Sequence, residues 1–178
     1  MGEYRHRESV VEYETGWYTG GYDRVEQPDG TTKRYYWAEL PPAVVVVAVH
    51  DGRVVFVEQY RPTIAEHCLE LTAGVVEDGE SYAEAGAREL EEETGYTAEA
   101  VEEIETFWCA TGVLRHRRGI VVARGADPTG DPALDDNEFL TVTTVPVDEA
   151  LERARADPAN DATIEALLLA DADGYISL

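Results

Sequence analysis

Apolar runs and alternating apolar and polar positions predict that most of this chain is β structure. Residues 44–49 form an almost unbroken apolar run, which is typical of a strand covered on both faces. Residues 54–57 predict its partner strand, because the Asp51-Gly52 pair between the two runs favours a tight turn. Similar patterns predict further strands at residues 68–72, 101–108, 119–123 and 139–145.

The first 40 residues predict a separate extended element. Aromatic residues lie on both sides of a Pro-Asp-Gly turn signal at residues 28–30, so residues 9–40 are expected to form a β-hairpin. A proline pair at residues 41–42 separates this region from the rest of the chain. We therefore expect an N-terminal antiparallel β-arm over residues 1–40 and a second domain over residues 41–178.

The pattern changes to that of a helix at Ser81. Ser81 and Glu84 have the spacing of a capping box, and Gly95 is typical of the residue that ends a helix. Residues 148–156 and 163–170 are apolar on one side and predict two further helices.

The first of these helices carries three glutamates on one face. Glu89, Glu92 and Glu93 lie at positions i, i+3 and i+4, and in water such neighbours repel by roughly 0.2–0.5 kcal/mol per pair. A divalent cation would reverse that sign, and Mg²⁺ prefers oxygen ligands. Arg88 lies one turn before Glu92 and can hold its carboxylate in place. The alternative is a solvated acidic face.

The spacing of the surrounding residues favours the metal site. Residues 74–96 read GVVEDGESYAEAGARELEEETGY and resemble the Nudix box, the signature of hydrolases that split a nucleoside diphosphate linked to another moiety. The resemblance implies an α/β fold, the Nudix α/β/α sandwich with a mixed β-sheet. It also implies that Mg²⁺ or Mn²⁺ is bound by Glu89, Glu92, Glu93 and the carbonyl of Ala73, and that Glu92 and Arg88 serve catalysis.

Residues just before the box resemble the ADP-ribose pyrophosphatase branch of that family. The branch has the sequence QYRP, found here at residues 59–62, and its arginine, Arg61 in this chain, contacts the substrate's phosphates. A guanidinium fork suits the paired oxygens of a diphosphate. Relatives have ELPAG where residues 70–74 here read ELTAG, and Glu70 is a candidate for binding the sugar or polar linker.

The same resemblance assigns roles to residues far from the box. Members of the branch exchange an N-terminal sheet across a dimer and hold adenine between its aromatic side chains. Trp17 and Tyr35 are the matching candidates here, so a homodimer formed through the arm is expected. A hydrophobic element packed on its own domain is the alternative. Relatives also place a catalytic glutamate in a loop outside the box, where this chain has Glu138, with Asp136 as the alternative.

The sequence departs from that branch after the box. Thr111 replaces a proline, and the loop continues through Leu114 into the basic residues 115–118. Those charges are either solvated counter-charges on an acidic surface or contacts to the substrate.

Together these patterns predict metal-dependent hydrolysis of ADP-ribose, or a related nucleoside diphosphate sugar, to AMP and ribose 5-phosphate. GDP-mannose or another sugar nucleotide is the alternative within enzymes. A non-catalytic nucleotide sensor belongs to a different class; the complete set of box glutamates and the lack of a recognisable output domain argue against it.

Charge and hydropathy exclude other classes of partner. The chain has 37 acidic and 14 basic residues and a net charge of −23, which opposes binding to nucleic acids or anionic membranes. No apolar segment reaches the length of a membrane span, and the first ten residues lack the apolar core of a signal peptide. These features predict a cytoplasmic protein whose partner is a small molecule.

The acidic excess also leads to a prediction about salt. Lys33 is the one lysine among the basic residues, and such a composition suggests a halophilic protein. We expect the melting temperature, followed by circular dichroism, to rise from low to molar KCl, because about 1 M salt shortens the reach of charge repulsion to about 3 Å. A melting temperature that does not rise would indicate an ordinary acidic protein.

Overall fold

A computed structural model describes residues 2–134 and 138–178 of the chain. The described strands are β1 (Arg5–Glu14), β2 (Thr19–Glu26), β3 (Thr32–Glu39), β4 (Ala43–His50), β5 (Arg53–Arg61), β6 (Glu66–Glu70), β7 (Ala73–Val75), β8 (Tyr96–Thr97), β9 (Ala100–Trp108), β10 (Leu114–Arg115), β11 (Arg117–Arg124), β12 (Asp127–Pro128) and β13 (Leu140–Pro146). The described helices are α1 (Tyr82–Thr94), α2 (Val147–Ala154) and α3 (Asp161–Ala172). The chain divides into two compact units. The first runs to Pro42 and includes Phe107–Arg118, and the second comprises Ala43–Thr106 and Gly119–Leu178.

The first unit is a four-stranded sheet in the order β1-β2-β3-β10. The hairpin predicted around residues 28–30 is confirmed by the antiparallel pairing of β2 with β3. A second hairpin, between β1 and β2, turns at Thr15, whose hydroxyl accepts hydrogen bonds from the backbone N–H groups of Trp17 and Tyr18. The short β10 pairs in parallel with β3, so this unit also contains a segment from far along the chain.

The second unit is built on a seven-stranded sheet whose main order is β13-β5-β4-β11-β9. Strand β4 lies at its centre, and the even-numbered residues Val44 and Val46 pack with Ala85 and Leu90 of α1. Val45 and Val47 of β4 are equally buried on the opposite face, and α3 also contacts the strand. The predicted strand with two covered faces and the predicted α/β class are therefore confirmed.

Both predicted ends of α1 are confirmed. Ser81 and Glu84 form the capping box, and Gly95 ends the helix in the left-handed conformation, with φ of 72°. Close packing on the sheet depends on Gly86, where a Cβ atom would lie 2.6 Å from Cγ2 of Val121. The helix is therefore held at both ends and along its inner face.

The other helices begin and end near their predicted bounds. Helix α3 starts with Asn160 as its N-cap, whose side-chain oxygen accepts a hydrogen bond from the backbone N–H of Thr163. Among the described residues the longest helix has 13 residues, and none is long and apolar enough to span a bilayer.

Candidate active site

Two glutamates of α1 are buried against the segment that enters the helix. Glu89 is 9% exposed and Glu93 is 5% exposed, whereas Glu92 is half-exposed. The Glu89 carboxyl group lies against the backbone at Gly74, where a Cβ atom would be 2.0 Å from it. The backbone N–H of Ala73, in β7, donates a hydrogen bond of 3.4 Å to Oε2 of Glu93. The glycine thus leaves room for an acidic group beside the chain.

Arg88 links the acidic residues of the helix to one another. Its Nη1 donates to Oε1 of Glu89 at 2.8 Å and to Oε2 of Glu92 at 3.0 Å, so the predicted contact with Glu92 is present. Its Nε and Nη2 bind the two carboxylate oxygens of Glu80, and Nη2 also donates to the carbonyl of Val75. Glu80, which anchors this guanidinium, was not among the predicted site residues. These contacts raise the pKa of Arg88, led by that of Glu80.

Burial makes the charged form of the inner glutamates costly. Burial raises the pKa of Glu93 to about 8, helped by the charges of Glu89 and Glu138, while Ala73 and Arg61 act in the opposite direction. Burial also raises the pKa of Glu89, against the effect of Arg88. Desolvated carboxylates without enough positive charge are stabilised by a hard cation. The chemistry of this set of oxygen donors therefore fits a hard divalent cation.

The glutamates share a face of α1 but do not converge on one point. Among the described residues, no three acidic, histidine or cysteine side chains already have an arrangement that holds a metal ion. Arg88 instead forms ion pairs with both Glu89 and Glu92. Its positive charge offsets the repulsion between the two carboxylates. Metal binding would require these carboxylates to turn toward the ion.

Arg61 and Glu70 form an ion pair near the glutamates. Arg61 ends β5 and is 41% exposed, and its Nε and Nη2 donate to the Glu70 carboxylate. The side chain of Glu70 is 4% exposed and also accepts hydrogen bonds from Gln59 and Asn160. Neither Gln59 nor Asn160 was predicted to bind Glu70, since they lie 11 and 90 residues from it in the chain.

Glu138 lies close to the buried glutamates. Its charge contributes to the raised pKa of both Glu89 and Glu93, although it lies 45 residues after Glu93 in the chain. Strand β13 begins with Leu140 opposite Gln59 of β5, so Glu138 precedes the strand at the sheet end where β5 finishes. Asp136, the alternative, lies outside the described residues.

The candidates for base stacking belong to the first unit. Trp17 lies in the turn between β1 and β2 and is 77% exposed. Tyr35 lies in β3 opposite Asp23, its hydroxyl accepts a hydrogen bond from Gln27, and Lys33 lies over its ring. An exposed indole in a short turn offers a flat apolar face to a ligand or a partner.

Arg115, from the basic loop, is bound within the first unit. Its guanidinium lies 4.0 Å from the centre of the Trp37 ring and pairs with the carboxylate of Asp23. Asp23 also accepts hydrogen bonds from Ser9 and Trp37, and its pKa is lowered, since these hydrogen bonds and Arg115 outweigh its partial burial. This arginine balances an acidic group of its own sheet.

A comparison with protein families matches residues 39–167 to the NUDIX domain. The match covers the whole second unit as far as α3 and includes every box residue. It starts at the end of β3, so strands β1 to β3 lie almost entirely outside it, whereas the Phe107–Arg118 segment of the first unit lies inside it.

The chain is also similar to individual proteins over most of its length. The chain is 36% identical over 132 residues to the methanol dehydrogenase activator of Bacillus methanolicus, covering 73% of this chain and 71% of that protein. It is 33% identical over 140 residues to the ADP-ribose pyrophosphatase of Bacillus subtilis, covering 78% and 76%. A crystal structure of an ADP compounds hydrolase superimposes with a TM-score of 0.84, over 99% of this chain and 98% of that one, at 22% identity. This last match supports the fold alone.

Proposed function

This chain belongs to the Nudix hydrolase family, and we propose that it hydrolyses the diphosphate linkage of ADP-ribose or a closely related nucleoside diphosphate sugar. The products would be AMP and ribose 5-phosphate. The name of the Bacillus subtilis relative supports this choice of substrate, as does the likeness to the ADP-ribose pyrophosphatase branch in residues 59–62.

One observation carries the proposal. The pKa of Glu93 responds to Glu89, Glu138 and Arg61, so three acids and an arginine from separate parts of the second unit lie within electrostatic reach of one another. Acidic side chains that can bind a cation, next to a guanidinium that can bind phosphate, are what diphosphate hydrolysis requires.

Each group has a proposed role in the reaction. When bound, Mg²⁺ or Mn²⁺ would neutralise the diphosphate and lower the pKa of a water molecule. The metal ion would be bound by Glu89, Glu92, Glu93 and the carbonyl of Ala73. Arg88 would orient the carboxylates through its ion pairs with them. Arg61 would bind the diphosphate oxygens. Glu138 would accept or orient the proton of the attacking water.

The first unit has a proposed role in binding and assembly. Trp17 and Tyr35 would stack on the base of the substrate, and the chain would form a homodimer through its N-terminal sheet. The exposed indole of Trp17 supports the first point, because a base can cover an aromatic face that is otherwise exposed to water.

A substrate panel tests the proposal. Purified protein is incubated with ADP-ribose, GDP-mannose and other sugar nucleotides in Mg²⁺ or Mn²⁺, and alkaline phosphatase then releases phosphate from the monophosphate products. ADP-ribose is expected to give the highest kcat/KM. A preference for GDP-mannose would change the substrate but keep the reaction. No turnover of any nucleotide would favour a nucleotide sensor.

Trp17→Ala is expected to raise KM for ADP-ribose more than it lowers kcat. Stacking on a base far from the diphosphate stabilises the bound substrate and the transition state alike. The expected loss is roughly 1–3 kcal/mol, the scale of one base–aromatic stack. Steady-state kinetics measure both constants.

Two further variants serve as controls. Trp17→Phe keeps an aromatic face and should recover most of the affinity. Trp108→Ala removes another exposed tryptophan of the first unit, 54% exposed, and should leave KM unchanged. If Trp17→Ala has a normal KM and a normal oligomeric state, Trp17 serves only packing.

A further inference from the structure

The N-terminus of helix α3 holds the segment that leads into the glutamate helix. Nδ2 of Asn160 donates a hydrogen bond of 2.9 Å to Oε1 of Glu70, 90 residues earlier in the chain. Close by, the hydroxyl of Thr163 accepts a hydrogen bond of 3.0 Å from the backbone N–H of Leu71. All four residues lie in the second unit. Two adjacent bonds therefore fix this segment from one helix end.

Glu70 is enclosed by hydrogen-bond donors. Its Oε1 accepts from Asn160, and its Oε2 accepts from Nε2 of Gln59 at 3.2 Å, while Arg61 donates to both oxygens. With only 4% of its side chain exposed, this carboxylate is poorly placed to bind a sugar. Its surroundings instead favour a carboxylate that holds the guanidinium of Arg61 in one orientation.

Glu70 holds Arg61 by one edge of the guanidinium. The Nε of Arg61 lies 3.2 Å and 3.1 Å from the two oxygens of Glu70, and Nη2 binds the same carboxylate. Within residues 2–134 and 138–178, Nη1 has no hydrogen-bond partner. The side chain is 41% exposed, so the guanidinium is accessible from solvent. Burial lowers the pKa of Arg61, but the hydrogen bond and charge of Glu70 outweigh it with help from the charge of Glu93, so Arg61 lies within electrostatic reach of a buried glutamate.

We infer that Asn160 is a positioning residue for phosphate binding: it orients Glu70, which in turn orients Arg61 toward the diphosphate. The inference rests on the proposed function, since it requires Arg61 to bind a diphosphate. Asn160 suits this role because its amide has two ends. Its oxygen caps α3 through the N–H of Thr163, and its nitrogen donates to Glu70. Asp or Ser would cap the helix about as well, but Asp cannot donate and Ser is shorter.

The variants Asn160→Ser and Asn160→Asp separate capping from positioning. Both keep a good N-cap, so the melting temperature of Asn160→Ser should change little, whereas Asn160→Asp also places a second carboxylate beside Glu70 and should melt lower. With ADP-ribose, Asn160→Ser should lower kcat/KM roughly tenfold, mainly through KM, because one hydrogen bond to the charged pair is lost. Asn160→Asp should lower it further, since two carboxylates would then face each other. If kcat/KM stays at the wild-type value in both variants, the inference is wrong.

Repeating Asn160→Ser in an Arg61→Ala background shows whether the effect passes through Arg61. If it does, the second substitution causes no further loss of kcat/KM, because the group that it positions is already gone. An equal loss in both backgrounds would mean that Asn160 acts on the fold in general, and would overturn the inference. The melting temperatures of all four proteins are measured in parallel.

Binding of inorganic pyrophosphate in Mg²⁺, measured by calorimetry, separates this inference from the proposed function. If the wild-type protein turns over no sugar nucleotide, the proposed function fails, and pyrophosphate affinity then decides the inference. Weaker binding by Asn160→Ser, with no further weakening in the Arg61→Ala background, supports it. Equal affinity of wild type and variant, or no binding by the wild type, overturns it.

Discussion

Glu93→Gln is expected to reduce turnover by orders of magnitude while leaving the fold intact. The substitution keeps the shape of a side chain that is 5% exposed but removes a charged oxygen ligand from the proposed metal site. Glu89→Gln should behave in the same way, because Glu89 is the other buried acid of this face. Steady-state kinetics at saturating Mg²⁺ measure the loss of kcat.

Without metal, the same variant should be more stable than the wild type, although its turnover is lower. Burial raises the pKa of Glu93 to about 8 from an ordinary value of 4.5, so the folded state holds this proton where the unfolded state has lost it. The contribution of Glu93 to the stability of the wild type therefore falls as the pH rises from 4.5 to 8, and the neutral glutamine removes this loss. The melting temperatures of Glu93→Gln and of the wild type should be equal near pH 4.5. The melting temperature of the variant should be higher above that pH, and the difference should be largest near pH 8.

Glu91→Gln is the matched control for both measurements. Glu91 lies on the same helix but is exposed, so this variant should keep wild-type turnover and the wild-type dependence of melting on pH. If Glu93→Gln or Glu89→Gln retained near wild-type turnover at saturating Mg²⁺, the assignment of this helix face to metal binding would be wrong.

Glu138→Gln is expected to lower kcat with little change in KM. A group that accepts or orients a proton of the attacking water acts mainly in the transition state, and such groups typically contribute 10²–10⁴-fold. The influence of Glu138 on the pKa of Glu89 and of Glu93 supports the assignment, since a base must lie beside the metal ligands. The measurement is steady-state hydrolysis of ADP-ribose in saturating metal.

Asp131→Asn serves as the control, because Asp131 is an exposed acid of the same loop and should be dispensable. A loss of less than about tenfold in Glu138→Gln would not support a general base. Asp136→Asn would then be expected to show the larger defect. Full activity in both single variants and in the double variant would place the base among the box residues.

The sequence alone determined the family, the main secondary structure and the acidic face of α1. These features are local, because capping at Ser81, termination at Gly95 and the sharing of a face by Glu89 and Glu93 depend on residues less than one helix length apart. The apolar run of β4 likewise indicated a central strand without any knowledge of what covers it. Such patterns depend on interactions between residues that are close in the chain, and they can therefore be predicted from the sequence.

Tertiary structure alone decided how distant residues combine. The partners of Glu70 come from β5 and from the start of α3, and the desolvation that raises the pKa of Glu93 comes from packing around it. The addition of β10 to the first sheet, and the stacking of Arg115 on Trp37, also depend on residues separated by more than 70 positions. Hydrogen bonds and burial of this kind depend on distances in space. The order of residues sets those distances only through the complete fold.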